Sequence, residues 1–441
     1  MTLPESARRV LTRPLSTHLE RVCGALSPRR LEGLRWFWRE GIFVQAAESF
    51  SADYIPLFAL AAGATPTDIG LLAAAANLVS VAGFLPGAML ASRVRTRKAV
   101  VLSTSYGPSR LMLPFLAALP LLLPGGHALV LLIIGVNALR IFGGTLGNAA
   151  WTSFVADLVP PASRGRFFGS RLFVSGLTAL VASPLAGLLV RTLNGPSPGA
   201  LPGYQATLGV AFLVGLVSIA FFIKIPEPPT RTLGTRLRKQ ALGLVSLLRR
   251  NPSFAWLAAS SFLWGLGQTM AGPFYNVFMI TDLGGSAASV GTMAGVYALG
   301  GLLGQPVFGR LSDRRGNRFI LVLTGLTIPV LPGLWAISRV PLHGLLLNVP
   351  SGFLWAGYNL ASFNILLEMS PAEDREAAFA LYQTVVAVGA VIGPLLGGLL
   401  VSVAGYRLDF VLSGAVRLVA TLLFFWFVRP GRFTRQAQES K

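Results

Sequence analysis

The sequence predicts an all-α membrane protein in which twelve transmembrane helices form two pseudo-symmetric six-helix bundles. Three observations carry this expectation: an oily composition, twelve apolar stretches of spanning length, and a sequence that repeats itself. The chain has 441 residues, 53% of them hydrophobic and 12% charged, with a mean hydropathy of +0.64. A soluble domain carries about a quarter charged residues, so a plain soluble enzyme, a coiled coil and a disordered chain are all excluded. The single cysteine, Cys23, rules out an intrachain disulfide and a cysteine-based metal centre. His18, His127 and His343 fall in three separate connecting regions. No metal and no cofactor are therefore expected. No glycine precedes Lys98, Lys224, Lys239 or Lys441, so the phosphate-binding loop G-x-x-x-x-G-K-[ST] is absent.

A spanning helix needs about 20 mostly apolar residues. The first such stretch, 36–60, follows a basic segment, 1–35, with Arg8, Arg9, Arg13, Arg21, Arg29 and Arg30 but no apolar core of a secretory signal. Leu15, Leu19, Val22 and Leu26 recur there at helical spacing, so either an interfacial amphipathic helix or an unstructured tail fits. Spans two to six fall at 68–91, 99–123, 128–157, 168–190 and 204–224, with short connections except 191–203. A basic linker, 225–253, separates this half (36–224) from a second (254–428). The second half holds spans at 254–280, 287–309, 319–338, 342–369, 376–403 and 408–428, before a tail at 429–441. Several stretches exceed the minimum, which implies tilt or extension beyond the bilayer.

Lysines and arginines of the connecting segments concentrate in alternate ones, starting from the N-terminal stretch. The intervening segments hold Arg191, Arg339 and Arg407 alone. By the positive-inside rule both termini and the 225–253 linker are cytoplasmic, with the chain in the inner cell membrane. The net charge of +20 is then an orientation signal, and nucleic acid is not an expected partner.

The halves echo one another. Asp157-x-x-Pro160, Arg164 and Phe168 reappear as Glu368-x-x-Pro371, Arg375 and Phe379, and Ser183-Pro184-x-x-Gly187 as Gly393-Pro394-x-x-Gly397. Gly87 ahead of Arg93, Arg95, Arg97 and Lys98 matches Gly309 ahead of Arg310, Arg314, Arg315 and Arg318. Paired halves around a midplane site suit alternating access. The run Gly309-Arg-Leu-Ser-Asp313-Arg314-Arg315-Gly316-Asn317-Arg318 resembles the G-x-x-x-D-R-x-G-[RN]-[RK] loop signature of the major facilitator superfamily. Arg140-Ile-Phe-Gly143-Gly144 resembles that family's arginine motif. In the first-half copy of the loop Ser92 stands where the family has Asp, and Arg95 where it has Gly. The resemblance covers about 36–428 and implies a secondary transporter with no enzymatic activity. It also implies a cytoplasmic gate at Gly309, Asp313, Arg314, Gly316 and Arg318. A fixed topological anchor is the other reading of those residues.

Charged groups at the bilayer centre cost about 2.5–3.5 kcal/mol each on insertion scales. Glu48 in span one and Arg140 in span four each lie about 18 Å from the start of their helix, near mid-depth. Arg110 and Arg417 are also near mid-depth, Asp53 lies nearer the outer mouth and Glu40 near the inner interface. Burial disfavours the charged form of a carboxyl group, which suits proton exchange. Glu48 is the first candidate for proton coupling and Asp53 the second, with Arg140 as the competing charge. Several proton-driven drug exporters of the family resemble this arrangement. A permanent Glu48–Arg140 ion pair is the structural alternative.

Asn137, Arg140, Gly144, Asn148 and Trp151 share one face of span four. Span seven offers Trp264, Gln268 and Tyr275, span ten offers Trp355 and Asn359, and span one adds Gln45. Amides and aromatic rings can line a cavity for an organic solute, or bridge helices as packing. The arginine excess favours an anionic or zwitterionic solute, unless Arg417 snorkels to a headgroup. Gly389-x-x-x-Gly393-Pro394-x-x-Gly397-Gly398 resembles the glycine–proline motif of the family's antiporters, although that motif belongs in span five, where Ser183 replaces Gly. The expectation is a monomeric, proton-coupled exporter of amphipathic compounds or drugs. Uptake of a sugar or organic anion, or a non-transporting receptor or scaffold, remain the alternatives.

Overall fold

A computed structural model describes residues 27–94, 96–123, 125–195, 199–227, 252–370 and 375–428. The amphipathic stretch Leu15–Leu26, most of the 225–253 linker and the 429–441 tail lie outside the described residues. Among the described residues the chain is almost wholly helical. The first half contains α1 (Pro28–Ser49), α2 (Tyr54–Ala61), α3 (Pro66–Arg93), α4 (Arg97–Val100), α5 (Gly107–Leu122), α6 (His127–Leu158), α7 (Arg164–Asn194) and α8 (Pro202–Lys224). The second contains α9 (Pro252–Ala271), α10 (Phe274–Thr281), α11 (Ala287–Arg315), α12 (Asn317–Thr327), α13 (Val330–Ala336), α14 (Pro341–Met369), α15 (Arg375–Ala404) and α16 (Tyr406–Phe427).

These sixteen pieces make twelve crossings. Spans one, seven and nine are broken into α1–α2, α9–α10 and α12–α13. Span three is α4 and α5 joined through a π-helical turn at Val101–Tyr106. Among the described residues, eight crossings are long and apolar enough to traverse a bilayer by length and composition. The other four are spans one, three, seven and ten. Span three falls short in length, α5 having 16 residues, while spans one, seven and ten are less apolar because they carry Glu48, Trp264, Gln268, Trp355 and Asn359. The outer girdle is apolar, with Leu121 and Val403 each 80% exposed. Water would not tolerate such a surface, whereas lipid chains cover it at no cost.

Elements start where the chain's chemistry dictates. Thr65 caps α3: its hydroxyl accepts from the Asp68 amide (3.2 Å) while the Asp68 carboxylate accepts from the Thr65 amide (2.9 Å), and Pro66 takes the first helical position. Gly316, at φ +80°, turns the chain between α11 and α12, a conformation that disfavours side chains.

The internal repeat has a structural counterpart. In the first half Arg97 donates to Asp157 at 2.5 Å. In the second, Asn317 donates to Glu368 at 2.6 Å. The duplicated acid thus ties the span 2–3 and span 8–9 loops to the end of spans four and ten. The face carrying these loops is called the basic face below.

Inside the first half, Glu40 is fully buried, and accepts from Arg171 Nη2 at 2.8 Å and from the Tyr106 hydroxyl. Arg171 also lies over the Phe37 ring at 4.3 Å. Three spans are pinned at one point. Replacing Arg171 by Met should destabilise the protein by about 3–5 kcal/mol, because a buried carboxylate loses its counter-ion. The double variant with Glu40→Leu should recover most of the loss in a thermal-melt comparison.

The two halves touch along two seams, α3 against α15 and α7 against α11. The recorded approaches cluster away from the basic face. Asn77 donates to the Ala390 carbonyl at 2.7 Å, and Tyr54 to the Ser183 carbonyl at 2.9 Å. Asn276 of α10 donates to Asp53 at 3.1 Å. Gly70 and Gly291 make the seams possible: a Cβ on Gly70 would strike the Pro394 carbonyl oxygen, and one on Gly291 the Ser183 carbonyl oxygen. The molecule is therefore closed on the face opposite the basic one, and its halves diverge toward the basic face.

Candidate functional site

Two clusters of polar side chains inside the apolar shell, one in each half, are candidates for the site. The first is a charge triad. Arg110 of α5, 6% exposed, donates through Nη1 to Glu48 Oε1 at 3.2 Å. Arg140 lies in the electrostatic field of both. The Glu48 side chain keeps 39% exposure, so solvent reaches it with the halves apart on the basic face. Arg140 turns its Nε to Asn137 Oδ1 at 3.2 Å. The sequence reading pairs Glu48 with Arg140, whereas the direct partner here is Arg110. The π turn explains the difference: it widens the helix just before α5 and carries Arg110 toward α1, where Gly215 of α8 leaves room for its stem.

Asn148 and Thr152 are exposed on the face of α6 that Arg140 shares at four-residue spacing. Gln45 is half-buried on α1, one turn from Glu48. Asp53 is not part of the triad. It stands at the break between α1 and α2, makes no side-chain cap bond there, and bonds across the halves to Asn276.

The second cluster is a cavity of about 380 Å³ between α9, α14 and α15, lined among others by Trp264, Gln268, Trp355, Tyr358, Asn359 and Gln383. Trp264 and Tyr358 stack at 4.3 Å, with planes 12° apart, and Trp355 meets Tyr358 edge-on at 5.4 Å. The Trp264 indole N–H is buried with no protein partner. An unpaired buried donor costs about 1–3 kcal/mol, and a ligand acceptor would relieve that cost. Four of the expected cavity residues meet here. Tyr275 does not: it stacks on Phe410 at 4.7 Å, beyond the break at Gly272–Pro273. Tyr358 and Gln383 escaped the sequence reading, although Tyr358 lies one turn from Trp355 and that spacing was a usable signal.

The loop of the expected gate is on the basic face. Asp313, Arg314, Gly316 and Arg318 are exposed, and a Cβ on Gly309 would meet open space. Arg318 donates to the Phe425 carbonyl at 2.7 Å, within its own half. With the halves apart on this side, the loop meets α14 and α16 of its own bundle.

Residues 41–270 and 257–441 both match the Major Facilitator Superfamily. Among curated relatives, the chain is 27% identical over 186 residues to the multidrug resistance protein MdtG of Dickeya zeae, covering 41% of this chain and 45% of that one. It is 26% identical over 324 residues to MdtG of Proteus mirabilis, covering 68% and 75%. The first relatives are thus matched over less than half their length. A mutant of the nucleoside transporter NupG superposes with a TM-score of 0.71 at 13% identity, over 91% of this chain and 100% of that one, a likeness of fold. Two repeated halves meeting at glycine-lined seams, a loop signature on the basic face and matches over both halves agree: this chain belongs to the Major Facilitator Superfamily.

Proposed function

We propose that the protein is a secondary active transporter that exports small amphipathic organic compounds, drugs among them, in exchange for protons. The observation that carries this reading is the Glu48–Arg110–Arg140 triad, an acid between two guanidiniums at the depth where charge is most costly. In the arrangement described, Glu48 is held by Arg110 and open to water, placed to release a proton toward the basic face. That face is the cytoplasmic one, and the chain works as a monomer in the inner membrane. The aromatic cavity holds the solute by stacking and by the free Trp264 N–H, while Gln268, Asn359 and Gln383 supply hydrogen bonds. The names of the MdtG relatives support this solute class. Asp53 serves the outer seam through Asn276, and Asp313, Arg314 and Arg318 close the basic face in the opposite state.

The test is flux of an amphipathic fluorescent dye in proteoliposomes with and without a pH gradient. Gradient-dependent dye accumulation is expected, and its absence for a panel of such dyes would reject the reading. Trp264→Phe, which keeps the stacking ring and loses only the N–H, should weaken dye binding by about 0.5–1.5 kcal/mol, while leaving the melting temperature within a few degrees of wild type. A second reading, uptake of a polar or anionic metabolite, is favoured by the amides and by the two arginines set against one carboxylate. It predicts competition by organic anions and none by cationic dyes.

A further inference from the structure

The mechanism above leaves one buried acid unused. Asp409, in the first turn of α16, is 0% exposed, and neither of its carboxyl oxygens has a hydrogen-bond partner in the protein. Ser413 and Arg417 continue its helix face at steps of four and are buried to 0% and 3% exposure. Arg417 Nη2 stops at the Ser413 hydroxyl (2.7 Å), and that hydroxyl donates to the Gly267 carbonyl (2.6 Å). The Arg417 Nε has no partner. Glycine at 267 lets α9 lie against the Arg417 stem, 3.0 Å from where a Cβ would stand.

The groups facing Asp409 are few. Arg417 lies two turns along its own helix, about 12 Å away along the axis. Tyr275 of α10 stacks on Phe410 and reaches the Arg417 and Ser413 end of the stripe. Arg407 is committed to the Ala336 and Ser338 carbonyls at 2.7 and 3.1 Å. Tyr406 packs on Phe274 and Phe278. From α13 comes the uncharged Trp335, 6.4 Å from Phe410. No group of three or more His, Cys, Asp or Glu side chains able to hold a metal occurs among the described residues.

An ionised carboxylate stripped of water and of hydrogen bonds is far more costly than the neutral acid. The packing around Asp409 suits the neutral form. The ionised form would need Arg417 to turn toward it and give up its contacts with Ser413 and Tyr275. Tyr275 sits on α10, the short helix after the span-seven break, and the next residue, Asn276, makes the bond to Asp53 across the halves. One eight-residue helix thus reaches the Asp409 stripe through Tyr275 and the seam through Asn276.

We propose that Asp409 is a second proton-binding site, in the half opposite Glu48, whose occupancy is read out through α10 at the outer seam. With the proton bound, α10 rests on the stripe and the seam is shut. When the seam opens, the carboxyl O–H bond breaks, the proton passes to water on that face, and the carboxylate pairs with Arg417. This goes beyond the export reading and does not depend on Glu48.

Infrared spectroscopy of the full-length protein in detergent at neutral pH tests the site, since a protonated carboxyl has a C=O band separate from those of carboxylates and amides. Asp409→Asn should remove one protonated-carboxyl band, and Asp409→Glu should move it. A band unchanged in both variants, or missing from wild type, would overturn the assignment; should Asp409→Asn fail to fold, the Glu variant still decides. The readout is tested with spin labels at the exposed positions Thr192 and Arg339, in a Glu48→Gln background. The label distance should lengthen as pH rises when Asp409 is present and stay short in Asp409→Asn. An equal response in both would contradict the link to α10.

Discussion

A protein with Glu48→Gln should equilibrate its solute but no longer concentrate it. A pH difference of one unit is worth about 1.4 kcal/mol per proton, or about a tenfold solute ratio at static head for one proton exchanged per solute. Glutamine keeps the shape and the hydrogen-bond acceptor for Arg110 but carries no ionisable proton. The ratio in proteoliposomes should therefore fall to one, while counterflow of labelled against unlabelled solute continues. The exposure of the Glu48 side chain and its 3.2 Å contact with Arg110 are what make this specific. The Asp53→Asn variant should retain accumulation, because its carboxylate serves the seam with Asn276. A tenfold ratio surviving in Glu48→Gln would move the coupling role elsewhere.

The second large effect is expected at Gly291. A side chain there would press on the Ser183 carbonyl and stand 2.6 Å from the Tyr54 hydroxyl, at the crossing of α11, α7 and α2. Both neighbours are held by the bond between them, so neither can yield cheaply. Overpacking of this kind costs about 1–3 kcal/mol. Gly291 packs between the halves, so Gly291→Val should destabilise the shut seam more than either bundle. The equilibrium should shift by about 5- to 150-fold toward the state open on the face opposite the basic one. Transport should fall in proportion, with thermal unfolding of the purified protein little changed. Gly209→Val is the control, since a Cβ there meets open space.

The architecture was legible because it is written in bulk properties. Twelve apolar stretches and the alternation of basic loops survive any local ambiguity, and the Asp157/Glu368 repeat marks equivalent loop ties in both halves. The cavity residues Trp264, Gln268, Trp355 and Asn359 were legible from helical spacing alone. The partner of Glu48 was not, because depth along a helix cannot tell which guanidinium a π turn rotates inward. Arg110 and Arg140 were equally plausible by depth. Tyr275 was misplaced for a related reason. Its spacing from Trp264 and Gln268 holds only if the helix is continuous, and Gly272–Pro273 breaks it. Asp409 passed unnoticed because it stands at a helix start, where an acid normally meets water or backbone amides. Only packing shows that it meets neither.

The central claim is that two rigid bundles rock about the two seams between them and expose the triad to each side in turn. Distances across both faces, measured by spin labels in the same reconstituted protein, test it most directly. Exposed Arg166 and Arg310 mark the basic ends of α7 and α11, and Thr192 and Arg339 mark the opposite face. With Cys23 replaced by serine, the first pair should shorten whenever the second lengthens, under the pH gradient that drives transport. Distances that stay fixed on both faces, or that grow and shrink together, would contradict the account.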